Sequence, residues 1–270
     1  MLTISIDPTA FTIGSLTVRW YGIMVAVAII TLLVVTLRET KKINISQDLI
    51  YSLFLWGIIG GFIGSRLVYL IDQLVTHPGE PIDIVGFAGL ALYGAIGGGL
   101  LGVWLYTRIK KIPFSGLAGA GDAVAVGAPL AQAIGRVGCT INGCCFGKPS
   151  PFHSFPGAVI YTPREFLPSQ YWGVPLYPTQ IYFILWNLIV FAIIWRLRGK
   201  LKPQGSLFFL YLCLYAAGDF GLRFFRINEP FLWGLHQGQV ISLAILAVFL
   251  PWFIIRIRKF QKSAQCPASI

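Results

Sequence analysis

Long apolar runs alternate with short polar segments along the chain, and this alternation predicts its helices. Runs of about twenty residues with few charges match the hydrocarbon core of a bilayer, which is about 30 Å thick. Seven runs fit, at 20–37, 49–71, 87–107, 116–134, 181–195, 205–225 and 240–255. The fourth has low hydrophobicity and is rich in Gly and Ala, so we expect protein rather than lipid around it. We therefore predict an all-α polytopic membrane protein with seven transmembrane helices.

Glycines recur in the second and third predicted helices at the spacing of close helix packing. Helix two carries Gly57 and Gly61 and, offset from them, Gly60 and Gly64. Helix three carries five glycines around Tyr93. Small residues four apart let two helix backbones approach closely, so these helices are predicted to pack through glycine faces.

Two regions lie outside the apolar runs. Residues 1–19 mix β-forming and polar residues with a proline, which is typical of an amphipathic segment at a membrane surface. Residues from about 135 to 180 are polar and rich in proline, and long loops of this kind often carry function. We predict one membrane domain over residues 1–270, with an external loop or head segment at about 135–180.

The charges indicate an orientation in the membrane rather than a nucleic-acid partner. The chain has a net charge of +11, but it is 56% hydrophobic and only 11% charged. Its Lys and Arg clusters follow the first, third, fifth and seventh predicted helices, at 38–42, 108–111, 196–202 and 256–262. Positive clusters mark the cytoplasmic side. The N-terminus and the segment after Arg136 are then predicted outside and the C-terminus inside the cell, and no nucleic-acid binding is expected.

Four arginines do not belong to these clusters. Arg66, Arg136, Arg223 and Arg226 lie within apolar helices or at their outer ends. A charge at such a depth is costly and usually functional, and a guanidinium presents a bidentate fork to phosphate. Arg223 follows Asp219 by four residues, so the two share a helix face and are predicted to pair.

The stretch 135–147 is the strongest candidate for a functional site. It places Arg136, Asn142 and three cysteines among glycines, which we interpret as an anion site at the membrane surface. The spacing of Cys139, Cys144 and Cys145 matches no common zinc motif, and a disulfide between adjacent cysteines is strained. We expect the cysteines to be small apolar filler, with no metal and no cofactor.

Seven short segments carry a family resemblance. They are VRWYGIM at 18–24, GSRL at 64–67, GLALYG at 89–94, GRVG at 135–138, YPTQIY at 177–182, FFR at 224–226 and GQVIS at 238–242. Their order resembles that of the phosphatidylglycerol–prolipoprotein diacylglyceryl transferases of bacterial plasma membranes. Each segment is weak evidence, but seven in register are specific.

The chain departs from the family pattern at several positions. Cys139 and Cys144 replace an Asn and an acidic residue, in a GCC-type variant of the family motif. Tyr93 and Phe183 stand where many members have His and Glu. The Arg and Glu of a late R-x-x-x-E element occur here as Asp219 and Arg223, so a charge pair is kept with its direction reversed.

The resemblance implies transfer of the diacylglyceryl group of phosphatidylglycerol to the lipobox cysteine of a prolipoprotein in the inner membrane. Such chemistry needs cations on the departing phosphate and a group that takes the thiol proton. Arg136 is expected to bind the phosphate, and Tyr21 to orient the head group. Tyr93 would occupy the proton-handling position. The further expected head-group ligands are Asn142, Arg223, Arg226 and Arg66.

Two alternatives from other classes remain. A non-catalytic homologue would bind phosphatidylglycerol or signal peptides without transfer, which the exchanged pair and the missing acidic residues favour. A membrane thiol–disulfide protein would use Cys139, Cys144 and Cys145, with Arg136 lowering a thiol pKa. Replacement of all three cysteines by Ala would abolish redox exchange and leave transfer intact under the filler interpretation.

Overall fold

The structure, a computed structural model, describes residues 2–14, 16–76, 92–163, 165–227 and 229–265. These residues form seven α-helices: α1 Trp20–Lys41, α2 Gln47–Thr76, α3 Leu92–Ile109, α4 Phe114–Asn142, α5 Thr179–Leu197, α6 Ser206–Leu222 and α7 Gln237–Gln265. Six spans of the described residues, on every helix except α3, are long and apolar enough to cross a membrane. Residues 87–91, the first part of the predicted third helix, lie outside the described residues.

Six short strands correct the all-α prediction. Strand β1 (Leu2–Ile4) pairs in parallel with β4 (Val159–Tyr161), and β2 (Thr9–Ile13) pairs antiparallel with β3 (Leu16–Arg19). Strands β5 (Pro230–Leu232) and β6 (Leu235–His236) form a third pair. The N-terminal segment, predicted as an undivided amphipathic stretch, is thus mostly strand, because its β-branched and aromatic residues favour extended backbone.

The segment between α4 and α5 has a small core of its own. Val159, Tyr161, Leu167 and Leu176 are buried together with Ile4 of the N-terminal strand. Parallel pairing of β1 with β4 brings that strand to this segment. The polar region predicted at about 135–180 is therefore a folded structure rather than a plain loop.

Helix α4 is longer than predicted, and this changes the setting of Arg136. The pattern placed its end near residue 134, but the helix continues to Asn142. Gly138 explains the continuation, because a Cβ there would lie only 2.9 Å from the Cβ of Met24 and 3.3 Å from the Cα of Tyr21. Arg136 is consequently a residue of the last helical turns, not of the following loop.

The chain forms two compact units, Met1–Glu39 with Gly121–Ile270 and Thr40–Ala120. In the second unit α2 and α3 pack through glycines, as predicted. A Cβ on Gly60 or Gly64 would overlap the backbone of α3 at Gly98 or Gly94. Contact of this kind is available only to glycine.

Helices α4, α5 and α6 supply the core of the first unit. Ala125, Val126, Val190, Ile194 and Leu207 are buried against one another there. Asp122 of α4 caps α6.

The capping carboxylate of Asp122 accepts hydrogen bonds from the backbone N–H groups of Gly205, at 2.6 Å, and Phe208, at 2.9 Å. These bonds satisfy donors that a helix start leaves unpaired. The N-terminal end of α6 is thereby fixed to α4, which carries Arg136 near its other end.

Candidate anion-binding site

Arg136 lies on α4 with its guanidinium stacked on an aromatic ring. Its Cζ is 4.3 Å from the ring centroid of Phe183, a buried residue of α5. No ion pair of Arg136 is found among the described residues. Cys139, Cys145 and Asp219 lie within electrostatic range of it. A ring holds the flat face of the guanidinium without neutralising it, so its charge is available to an anion.

Arg223 and Asp219 form the ion pair that their spacing predicts. Arg223 Nε donates to Asp219 Oδ2 at 2.5 Å, and Ser242 Oγ donates to the same oxygen at 3.0 Å. Gly238 makes room for this arrangement, because a Cβ there would overlap the Arg223 guanidinium. The prediction of an Asp219–Arg223 pair is confirmed, with α7 supplying both the hydroxyl and the space.

Arg226 follows a short 3-10 helix, Arg223–Phe225, at the end of α6. Its Nε is buried and has no hydrogen-bond partner among the described residues. Burial lowers the pKa of the Arg226 guanidinium, and the like charges of Arg136 and Arg223 act in the same direction. Three guanidiniums and one carboxylate therefore lie close together, and a bound anion would relieve their repulsion.

A tight backbone crossing fixes the position of Arg226. Gly147 is bridged to Arg226, and the N–H of Lys148 donates to the carbonyl of Phe225 at 2.8 Å. A Cβ on Gly147 would overlap the backbone of Tyr177 and lie 3.0 Å from the Phe225 carbonyl oxygen. Glycine is needed here because the backbones approach closely.

Tyr21 and Asn142 complete the polar surroundings. Tyr21 lies in the first turn of α1, within electrostatic range of Arg136 and of the three cysteines. Asn142 ends α4, is 6% exposed, and its Oδ1 makes no hydrogen bond among the described residues. A buried amide oxygen without a partner is costly. It is the acceptor that the hydroxyl groups of a polar ligand would satisfy.

Three of the four described free cysteines form a cluster beside these groups. The Sγ atoms of Cys139, Cys144 and Cys145 all lie within 4.8 Å of one another. The carbonyl of Cys144 accepts a bond from Gln180 Nε2 at 2.8 Å, and that of Cys145 accepts one from Thr179 Oγ1 at 2.9 Å. The spacing in the sequence did not predict this convergence.

The electrostatic environment favours a thiolate at Cys145, one of the three cysteines. Hydrogen bonds from Cys139 and Cys144 lower the pKa of Cys145 well below its usual range, and the charges of Arg226 and Arg136 add to the effect. A cysteine whose pKa is lowered in this way is a better nucleophile and a better metal ligand than an ordinary thiol.

The structure thus brings together Tyr21, Arg136, Asn142, Arg223 and Arg226 in the first unit. Two other predicted site residues belong to the second unit. Arg66 lies on α2 in the second unit, with its Cζ 5.1 Å from the Tyr69 ring centroid. The backbone of Tyr93 belongs to α3, but its side chain lies outside the described residues.

Sequence reasoning missed the residues that support the site. Ser242 holds Asp219, and Gln180 and Thr179 hold the cysteine backbone. Buried Gln239 accepts from the N–H of His236 at 3.0 Å and donates to the Phe220 carbonyl at 3.2 Å, fixing the start of α7 to the end of α6. A signal existed, because all four lie in the segments YPTQIY and GQVIS.

Comparison with known proteins gives consistent matches over nearly the whole chain. The family model for prolipoprotein diacylglyceryl transferase matches residues 8–255. A phosphatidylglycerol–prolipoprotein diacylglyceryl transferase of Dehalococcoides mccartyi is 40% identical over 98% of both chains. The proteins of that name from Clostridium tetani and a Nostoc species are each 32% identical, covering 94% and 93% of this chain and 99% and 90% of their own lengths.

Proposed function

The chain belongs to the prolipoprotein diacylglyceryl transferase family, and from that premise we propose that it moves the diacylglyceryl group of phosphatidylglycerol to a prolipoprotein cysteine. The thiol sulfur forms a thioether bond to the glyceryl carbon, and the bond from that carbon to the phosphate oxygen breaks. Glycerol phosphate leaves. The observation that carries the proposal is the meeting of three guanidiniums with a single carboxylate.

In this proposal Arg136 and Arg226 bind the phosphate of the lipid. The Arg136 guanidinium is stacked on Phe183 and lacks an ion pair among the described residues, so its donors are available. Arg226 carries a buried Nε without a partner. Negative charge grows on the leaving phosphate oxygen as the carbon–oxygen bond breaks, and fixed cations stabilise that transition state.

Arg223 has a different proposed part because Asp219 already holds it. The pair keeps one guanidinium face fixed while the remaining donors reach the head group. Asn142 and Tyr21 would bind the hydroxyl groups of the glycerol head. Tyr93 and Arg66 remain proposed participants, in proton handling and head-group binding respectively.

The membrane setting follows from the charge pattern and the candidate spans. We place the protein in the bacterial plasma membrane as a multi-pass protein in which α3 adds a seventh span, with residues 1–270 as one membrane domain. The N-terminus and the head segment would face outwards, and the C-terminus the cytoplasm. The site would then face the outer leaflet, where the lipobox of a secreted prolipoprotein arrives.

The test is transfer of labelled diacylglyceryl from phosphatidylglycerol nanodiscs to a lipobox peptide. Arg136→Ala should lower kcat/KM about 100-fold or more, because a charged donor to the transition state is lost. The kcat/KM of Arg136→Lys should lie between those of the parent and of Arg136→Ala, because lysine keeps the charge but lacks the planar fork. Arg258→Ala is the matched control, because Arg258 is an exposed arginine of α7.

The outcomes separate the proposal from the non-catalytic alternative. Transfer that Arg136→Ala reduces and Arg258→Ala leaves unchanged supports the assigned role. Phosphatidylglycerol binding by folded parent protein without any transfer would point to a binding homologue. Neither that alternative nor the thiol–disulfide one is favoured by the family to which the chain belongs.

A further inference from the structure

Three thiols at the end of α4 have the arrangement of metal ligands. The Sγ atoms of Cys139, Cys144 and Cys145 lie within 4.8 Å of one another. Zinc–thiolate bonds of about 2.3 Å place tetrahedral sulfur ligands about 3.8 Å apart. The sulfur separations therefore exceed the tetrahedral value by at most about 1 Å, and Cys144 and Cys145 are only half-buried.

The backbone at Cys145 has an unfavourable conformation that hydrogen bonds stabilise. Cys145 has a φ of 61°, a left-handed value that costs a residue with a side chain free energy. Adjacent side chains in an extended chain point to opposite faces, whereas this turn lets both neighbouring sulfurs approach Cys139. The hydrogen bonds from Thr179 and Gln180 to the two cysteine carbonyls stabilise the turn.

Two positive charges lie near the cluster. Arg136 lies within electrostatic range of Cys139 and Cys145, and Arg226 lies within range of Cys145. Among the described residues only Asp219 adds a carboxylate to this group, and it is bound to Arg223 and Ser242. Three thiolates with a divalent ion carry one net negative charge and the two guanidiniums carry two positive charges, so one positive charge remains for the lipid phosphate.

We propose that Cys139, Cys144 and Cys145 bind one Zn²⁺ ion through their thiolates, and that the prolipoprotein thiol binds at the open fourth position. The proposal rests on the proposed function, since it concerns the nucleophile of that reaction. Three protein ligands with one exchangeable position are typical of catalytic zinc. Zinc is also redox-inert, so the step needs no oxidant or reductant.

Zinc binding would explain how the substrate thiol loses its proton. A free cysteine thiol has a pKa of about 8.5 and is mostly protonated at neutral pH. Coordination to zinc deprotonates a thiol, and its proton passes to water, so Tyr93 is not needed as the base when the ion is bound. The bound thiolate then attacks the glyceryl carbon while the carbon–oxygen bond breaks and glycerol phosphate leaves toward the guanidiniums. The product thioether is neutral and leaves the metal.

The test measures metal binding and transfer separately on the full chain in phosphatidylglycerol nanodiscs. Protein stripped with a chelator is titrated with Zn²⁺ against a chromophoric competitor, and bound metal is counted by mass spectrometry. The parent should bind one ion, and Cys144→Ser and the triple Cys→Ser variant should not bind it. Cys213→Ala, which alters a buried cysteine of α6 outside the cluster, should bind as the parent does.

A second readout reports on the fourth position. In Co²⁺-loaded protein the sulfur-to-cobalt charge-transfer and ligand-field bands should change when a lipobox peptide is added. A peptide with Ser in place of the lipobox Cys should leave them unchanged. Chelation should lower transfer about 100-fold, since a metal supplies several kcal/mol to such a step, and Zn²⁺ should restore it.

Each outcome bears on the inference. One tightly bound Zn²⁺, the peptide-dependent spectrum and metal-dependent transfer together support it. Undiminished transfer by metal-free protein or by the triple variant overturns it while the proposed function stands. Zinc binding without a peptide response overturns the substrate position and leaves a structural site, and preferential binding of Cu⁺ overturns the zinc assignment. Zinc binding without transfer under any condition counts against the proposed function instead.

Discussion

Two glycine-rich regions look alike in the sequence and differ in what their glycines accommodate. Between α2 and α3, the missing side chains of Gly60 and Gly98 let backbone meet backbone. At the anion site, the missing side chain of Gly238 makes room for the guanidinium of Arg223. Backbone atoms cannot move aside, but a side chain can. The first region should therefore govern stability and the second should govern chemistry.

The largest effect is expected at the helix interface, from Gly98→Ala. The new Cβ would overlap the Gly60 carbonyl and lie 2.8 Å from the Cα of Gly64, so the helices must separate. We expect the free energy of unfolding to fall by about 3 kcal/mol, at the upper end for overpacking. Circular dichroism during denaturant unfolding in detergent measures it.

Gly97→Ala is the matched control on the neighbouring residue of α3. A Cβ there meets no atom within 4 Å, so only helix propensity changes. It should stabilise the protein by up to about 1 kcal/mol. Equal stability of the two variants would contradict the backbone-contact interpretation of this region.

Gly238→Ala is expected to have a smaller effect, which acts more on transfer than on stability. The added methyl group displaces the Arg223 guanidinium from Asp219, but the end of a flexible side chain can move. Transfer should fall about 10-fold in kcat/KM, since a 10-fold change corresponds to about 1.4 kcal/mol of transition-state stabilisation. The free energy of unfolding should change less than in Gly98→Ala.

Gly221→Ala serves as its control, because a Cβ at this position of α6 meets no atom within 4 Å. It should transfer at the parent rate. The contrast between the two regions would be contradicted if Gly238→Ala lowered the free energy of unfolding as much as Gly98→Ala does. It would also be contradicted if Gly238→Ala transferred diacylglyceryl as fast as Gly221→Ala does.

The two regions also differ in how far the sequence predicts them. Spacing alone predicts the packing of α2 on α3, because the contact depends on a helical period and on residue size. The Asp219–Arg223 pair is predictable for the same reason, as both residues belong to α6 or its immediate end. Local periodicity is enough to predict features of this kind. The helices therefore lie where the pattern predicts them, but their ends differ from the predicted ones.

The anion site depends on contacts that no local period encodes. Helix α4 continues past Gly138, where Tyr21 and Met24 pack on it, a tertiary effect. Cys144 and Cys145 reach Cys139 through a left-handed turn that Thr179 fixes from another element. The pairing of β1 with β4 joins segments far apart in the chain. These features need the fold, and the sequence therefore predicts candidate residues but not their arrangement.

The smallest effect is expected from Asn142→Ala, and it separates binding from folding within the site. The Oδ1 atom is buried without a partner among the described residues, so its removal relieves a desolvation cost that offsets the lost hydrogen bond between the amide and Cys144, and stability should change little. Loss of one hydrogen bond to the lipid head should raise KM for phosphatidylglycerol about fivefold, equivalent to about 1 kcal/mol, with kcat little changed.

Asn187→Ala is the matched control, because this buried amide of α5 also has an Oδ1 without a partner but donates only to the Phe183 carbonyl, at 2.9 Å. Initial rates over a range of phosphatidylglycerol contents in nanodiscs measure both constants. A fall in kcat with KM unchanged would show that Asn142 stabilises the transition state rather than the bound substrate. An equal rise in KM for Asn187→Ala would contradict a place for Asn142 in the head-group site.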